Sequence, residues 1–133
     1  MSSKNILIVA GEPNSIFLEI FFKSLKKLKI KSPIILIASL KLVEAQMKKL
    51  SVSKKIRLID YKKVNNYNLD NNFINLIDVK YKFNKAFEKI TPKSNRYINR
   101  CFEISFKILK KGKIKKFING PVSKKTFLKK SHL

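Results

Sequence analysis

The chain has 133 residues, 44% of them hydrophobic, and a formal charge of +23. That apolar share excludes an intrinsically disordered chain and gives one domain enough material for a core. A single cysteine, Cys101, excludes a disulfide framework, and the longest clean apolar runs, ILIVA and IILIA, are too short to span a bilayer.

The N-terminus MSSKNILIVAGEP passes straight from a lysine into a strand-like run and Gly-Glu-Pro. It lacks the longer apolar stretch and small-residue cleavage site of a signal peptide, so a cytoplasmic protein is expected. Ile6–Ala10 reads as a buried parallel strand. After GEPNS, the residues Ile16, Phe17, Ile20, Phe21, Leu25 and Leu28 recur at helical spacing. Lysines 23, 26, 27 and 29 fall between them, which predicts an amphipathic helix with a basic outer face. Asn14 or Ser15 is its expected N-cap.

Pro33 closes the connection and Ile34–Ala38 is a second buried strand. A shorter helix follows, with Leu42, Val43, Gln46, Met47 and Leu50 inward, and then a third strand over Ile56–Asp60. The alternation implies right-handed crossovers and a mostly parallel sheet of the α/β class. Asn65–Asn72 reads as a loop, and Phe73–Val79 as a strand that could stand outside the main sheet. Pro92 precedes a strong helix whose buried stripe is Ile98, Cys101, Phe102, Ser105, Ile108 and Leu109. Lys110, Lys111 and Gly112 suit its carbonyl end. Lys116–Asn119 is a short strand running into GPVSKKT. No repeat or linker divides the chain, so residues 1–133 are read as one unit.

The charge points to a polyanion partner only weakly. Lysines are spread from Lys4 to Lys130, and arginine, the preferred residue for bidentate readout, occurs only at 57, 96 and 100. Abundant Ile, Asn, Phe and Lys beside scarce Gly, Ala, Arg and Trp is what an AT-rich genome yields through its codons. Composition therefore argues against nucleic acid as the partner, and a small basic module binding RNA or another polyanion stands as the rival reading.

Three glycines make the pattern sharper. Gly112 is a helix terminator, whereas Gly11 and Gly120 each follow an apolar strand directly. Two such turns at strand C-terminal ends could line one crevice, where open α/β sheets bind ligands, or could simply be tight turns. GPVSKKT lacks the second glycine of a phosphate loop, which excludes a nucleotide-hydrolase site. Amides at a helix N-terminus beside Lys124 or Lys125 would still suit an anion, with Ser123 as N-cap. Glu12 could orient a substrate group or face the N-terminus of the helix that follows. His132 is expected to be a solvated residue and Cys101 a packed small hydrophobe. No H-E-x-x-H, no G-x-G-x-x-G and no carboxylate pair of acid–base spacing is present.

Two motifs together carry a resemblance. V-A-G-E-P-N-S-I-F-L-E is similar to the T-P-G-E-P-A-G-I-G-P-E opening of the 4-hydroxythreonine-4-phosphate dehydrogenases of vitamin B6 synthesis. The segment from TPKSNRY to INGPVSKKTF resembles that family's Tyr-bearing helix and its strand ending in T-G-P-[IV]-x-K. The resemblance implies a two-domain, three-layer α/β/α fold like that of isocitrate and isopropylmalate dehydrogenases, incomplete in this chain. It also implies NAD and a divalent metal ion as cofactors, a small phosphorylated substrate and a homodimer. The family oxidises the secondary alcohol of 4-phosphooxy-L-threonine to a 3-keto acid, which decarboxylates.

Position by position, Gly11, Glu12 and Pro13 match the first active-site loop, and Gly120, Pro121 and Lys124 match the second. Lys124 would hold an anionic part of the ligand. Asn14-Ser15-Ile16-Phe17-Leu18 departs from A-G-I-G-P, which questions close backbone approach to a ligand there. The family continues after GPVSK into G-H-T-E and then metal-binding histidines, so His132 matches none of them. The chain is accordingly expected to be an N-terminal portion, inactive alone, with cofactor and metal sites beyond Leu133. A degenerate short paralogue and a subunit that needs a partner chain are the alternatives.

Overall fold

The computed structural model describes residues 3–122. In chain order these form β1 (Ser3–Val9), α1 (Phe17–Lys27), β2 (Ile34–Ala38), α2 (Leu40–Lys49), β3 (Ile56–Leu58), β4 (Ile74–Asp78), α3 (Asn95–Lys110) and β5 (Ile114–Asn119). The five strands make one sheet in the order β3-β4-β2-β1-β5, and every pairing is parallel.

Alternation along the strands builds a core on each face, because successive side chains point to opposite sides of a sheet. Leu7, Val9, Ile35, Ile37 and Ile77 pack against Tyr97, Ile98, Cys101, Ile104 and Ile108 of α3. Ile8, Ile34, Leu36 and Leu76 pack against Leu18, Phe21 and Phe22 of α1 and Leu42, Val43 and Met47 of α2. The expected three-layer α/β/α architecture is therefore present.

Several expectations shift. Phe73–Val79 does not leave the sheet: β4 lies between β3 and β2, buried on both faces, with Asn75 donating to the carbonyls of Ile34 and Asp70. The Asn75 amide is consumed inside the fold, so a polar residue is accommodated in a buried central strand. The third strand stops at Leu58, and Asp60 instead accepts the Lys62 amide at the start of a 3-10 turn. On α1 the buried stripe is Leu18, Phe21 and Phe22, whereas Ile16 and Ile20 are 64% and 50% exposed. The sequence supplied more apolar positions than one helix face can bury, and the ridge beginning at Leu18 meets the sheet. The N-cap position of α1 falls on Ile16, and Ser15 Oγ reaches past it to accept the Phe17 amide at 3.2 Å. The α3 stripe gains Tyr97 and Ile104, which the periodicity had not singled out, and leaves Phe102 and Leu109 half-buried. Gly112 closes α3 with φ +79, and its amide donates to the Leu109 carbonyl.

Candidate functional site

Because β1 and β5 are parallel neighbours, their C-terminal ends lie side by side, and the turns GEP and GPV leave from adjacent points. The two turns pack directly on each other. The Glu12 amide donates to the Pro121 carbonyl at 2.8 Å, and the Gly120 amide to the Val9 carbonyl at 2.6 Å. A Cβ on Gly11, which has φ +77, would stand 2.5 Å from the Pro121 carbonyl oxygen. One on Gly120 would run into the Ala10 carbonyl. Both glycines thus answer a backbone-to-backbone approach between the loops, which leaves no room for a side chain.

Gly11, Glu12 and Pro13 are buried, as is Gly120, while Pro121 is exposed. Glu12 faces inward: Oε2 accepts from Ser94 Oγ at 3.0 Å and Oε1 from the Asn14 amide at 3.3 Å. Its carboxylate therefore ties the first loop to the residue that precedes α3. This is a local bond to the loop and to the α3 entry, and the amides of α1 take no part in it. Lys124, Ser123 and His132 lie outside the described residues.

The segment from Tyr81 to Ser94 straps the first loop down. Gln46 Nε2 donates to the Pro13 and Ala86 carbonyls, each at 2.9 Å, and Asn14 Oδ1 accepts the Glu88 amide at 2.9 Å. The Tyr81 ring lies 4.8 Å from that of Tyr97, and burial pushes its hydroxyl pKa above the ordinary value. Tyr97 is buried more deeply; its hydroxyl accepts the Ser39 amide at 2.9 Å, and burial holds its pKa well above the ordinary range. None of this is legible in periodicity, where Gln46 is one more inward position of α2.

A second feature escaped sequence reasoning altogether. Arg96 and Arg100 on α3 share a cavity at the end of β4 with Lys80, Lys82 and Lys93. The four-residue spacing of the two arginines was the available signal, hidden by the lysine background.

Similarity to known proteins follows the same geometry. No family model matches the chain, and no curated protein sequence matches it. Solved structures do. One, assigned as a 4-hydroxythreonine-4-phosphate dehydrogenase from Salmonella typhimurium, superposes on 100% of the chain with a TM-score of 0.81 at 20% identity. The 4-hydroxythreonine-4-phosphate dehydrogenase of Klebsiella pneumoniae matches 98% at 0.81 and 18% identity, and that of Burkholderia phymatum 94% at 0.77 and 18%. The chain has their fold. It spans 41%, 40% and 38% of their respective lengths. Among the described residues, no helix is long and apolar enough to cross a membrane.

Proposed function

We propose that this chain supplies the N-terminal part of an NAD- and divalent-metal-dependent 4-hydroxythreonine-4-phosphate dehydrogenase. In this reading the enzyme is a cytoplasmic homodimer of pyridoxal phosphate synthesis. It oxidises 4-phosphooxy-L-threonine to a 3-keto acid that loses carbon dioxide. The observation that carries the reading is the meeting of the GEP and GPV loops. Two motifs from opposite ends of the sequence, each resembling a family loop, are joined by the Glu12–Pro121 hydrogen bond at neighbouring strand ends.

The fold likeness to three dehydrogenases supports it. So does the surface around β5, which has no strand neighbour on its outer side among the described residues. Ile118 is 49% exposed on one face and Phe106 of α3 is 58% exposed beside Phe117 on the other. Apolar surface on both sides of an open strand suits coverage by further protein.

The described residues do not fit a metal site, since no group of three His, Cys, Asp or Glu is placed to hold an ion. The metal ligands and the NAD contacts are accordingly assigned to chain outside those residues, and no step of hydride transfer or decarboxylation is derived for this part. Its own contribution is positional. Gly11 and Gly120 let the loops touch, Glu12 and Ser94 fix the first loop, and Lys124 is assigned to the anionic end of the substrate.

The genomic sequence downstream of codon 133 tests this reading. An open frame running into G-x-T-E and then histidine-bearing segments is the expected result. An in-frame stop codon there, in an expressed gene, would sink the complete-dehydrogenase reading.

A further inference from the structure

Apart from the loop junction, the C-terminal end of β4 opens into a cavity of about 610 Å³. Its place follows from the topology. The cavity lies on the α3 face of the sheet, walled by Tyr61 after β3, by the chain leaving β4 and by the first turns of α3. Open parallel sheets bind ligands outside the carboxyl ends of their strands.

The lining is not a sample of the lysine-rich surface. Of the three arginines in the sequence, Arg96 and Arg100 both stand here, four residues apart on one face of α3. Of the four tyrosines, Tyr61, Tyr81 and Tyr97 stand here too. A codon bias that multiplies lysine does not collect the scarce residues in one place.

Charge balance favours an anion. Lys80, Lys82 and Lys93 bring the cations to five; Asp78 is the one carboxylate in the lining, and Glu88 stands 4.0 Å from Lys93 at its edge. Asp78 is already engaged by Lys80 at 2.9 Å and by the Leu40 amide at 2.8 Å. Arg100 has a helix-surface partner, Glu103, at 3.2 Å, a pairing that an exposed side chain exchanges readily. Arg96 and Lys82 have no hydrogen-bond or carboxylate partner among the described residues. Beneath the cations the wall is aromatic: the Tyr81 and Tyr97 rings are 4.8 Å apart, and Lys93 Nζ lies 6.0 Å from the Tyr81 ring centre.

We propose that this cavity binds a small phosphate-bearing organic anion. The guanidinium forks of Arg96 and Arg100 take the phosphate oxygens, for which their planar, multidentate geometry is suited. The tyrosine wall takes the carbon skeleton. The lining includes no residue of the Gly11–Gly120 junction, and the proposal does not depend on the dehydrogenase reading.

Pyrophosphate is the probe, titrated calorimetrically into the whole chain at about 0.15 M ionic strength. The expected result is saturable one-site binding, weakened about tenfold or more by the double substitution R96A/R100A. The control K26A/K27A removes equal charge from the outer face of α1 and leaves the affinity unchanged. R96K/R100K keeps the charge, loses the fork, and falls between. Circular dichroism melts establish that each variant is folded, and alanine is favourable at these exposed helical positions. Should the double variant melt, R96Q and R100Q singly carry the same comparison. Equal weakening by both double substitutions, or no saturable binding to the parent chain, overturns the proposal, because the cations then act only as diffuse charge. RNA binding that falls equally in both double variants counts against it in the same way.

Discussion

The backbone amide of Glu12 and the carbonyl of Pro121, 2.8 Å apart, join two loops drawn from opposite ends of the sequence. That contact exists only because Gly11 and Gly120 have no side chains. Alanine at Gly120 forces the loops apart and is expected to cost about 3 kcal/mol or more, as overpacking and backbone displacement combine. Gly11→Ala adds the left-handed strain of φ +77 to a similar clash. Gly112→Ala is the control: its φ is +79, but nothing lies within 4 Å, so only the conformational cost of about 1–2 kcal/mol remains. Denaturant unfolding of the three variants checks the ranking, and equal losses at all three would contradict loop contact as the cause.

Glu12 and Ser94 form a buried pair at 3.0 Å. Ser94→Ala leaves one carboxylate oxygen without its donor and is expected to destabilise by about 1–3 kcal/mol. Glu12→Gln retains an acceptor and costs less. A double-mutant cycle over the two positions should return a coupling of about 0.5 kcal/mol or more, whereas additive effects would deny the link between the first loop and α3.

Tyr97→Phe removes the acceptor for the Ser39 amide in a buried setting. An expected loss of about 1–3 kcal/mol follows from the unpaired amide. Hydrogen exchange gives the more specific readout, because the Ser39 amide should lose protection while amides of β1 keep theirs.

Burial pushes the Cys101 thiol up from 9.0 to about 12, against smaller lowering effects of Tyr97 and Arg100. The folded state therefore holds this proton more tightly than the unfolded chain. The associated stabilisation is complete below about pH 9 and is lost as pH rises towards 12. Tyr97, also raised by burial, acts in the same direction above its ordinary value of 10.0. Urea midpoints should decline on the alkaline side, and Cys101→Ala should make that decline shallower without abolishing it. An aromatic disulfide reagent should modify Cys101 only at the rate of unfolding, since the thiol is 1% exposed.

Much of the fold was legible because continuous apolar runs such as Ile34–Ala38 and the α3 stripe report directly on burial. Gly11 and Gly120 were also legible as paired turns at strand ends. What periodicity could not show was strand order, which places β4 inside the sheet, paired with β2 on one side and β3 on the other. Nor could it choose which apolar ridge of α1 would meet the sheet. The Glu12–Ser94 bond and the clustering of Arg96, Arg100 and Tyr81 arise from three-dimensional proximity across the strap. No spacing rule joins positions 12 and 94.

The proposal that the two joined loops are half of a dehydrogenase site is tested most directly by NADH formation, measured at the nicotinamide absorbance. The complete product of the gene is supplied with 4-phosphooxy-L-threonine, NAD and a divalent metal ion. The expected result is turnover that disappears with a chelator and falls sharply in Lys124→Ala while the protein stays folded. A folded product that forms no NADH, or one whose turnover ignores Lys124, would contradict it.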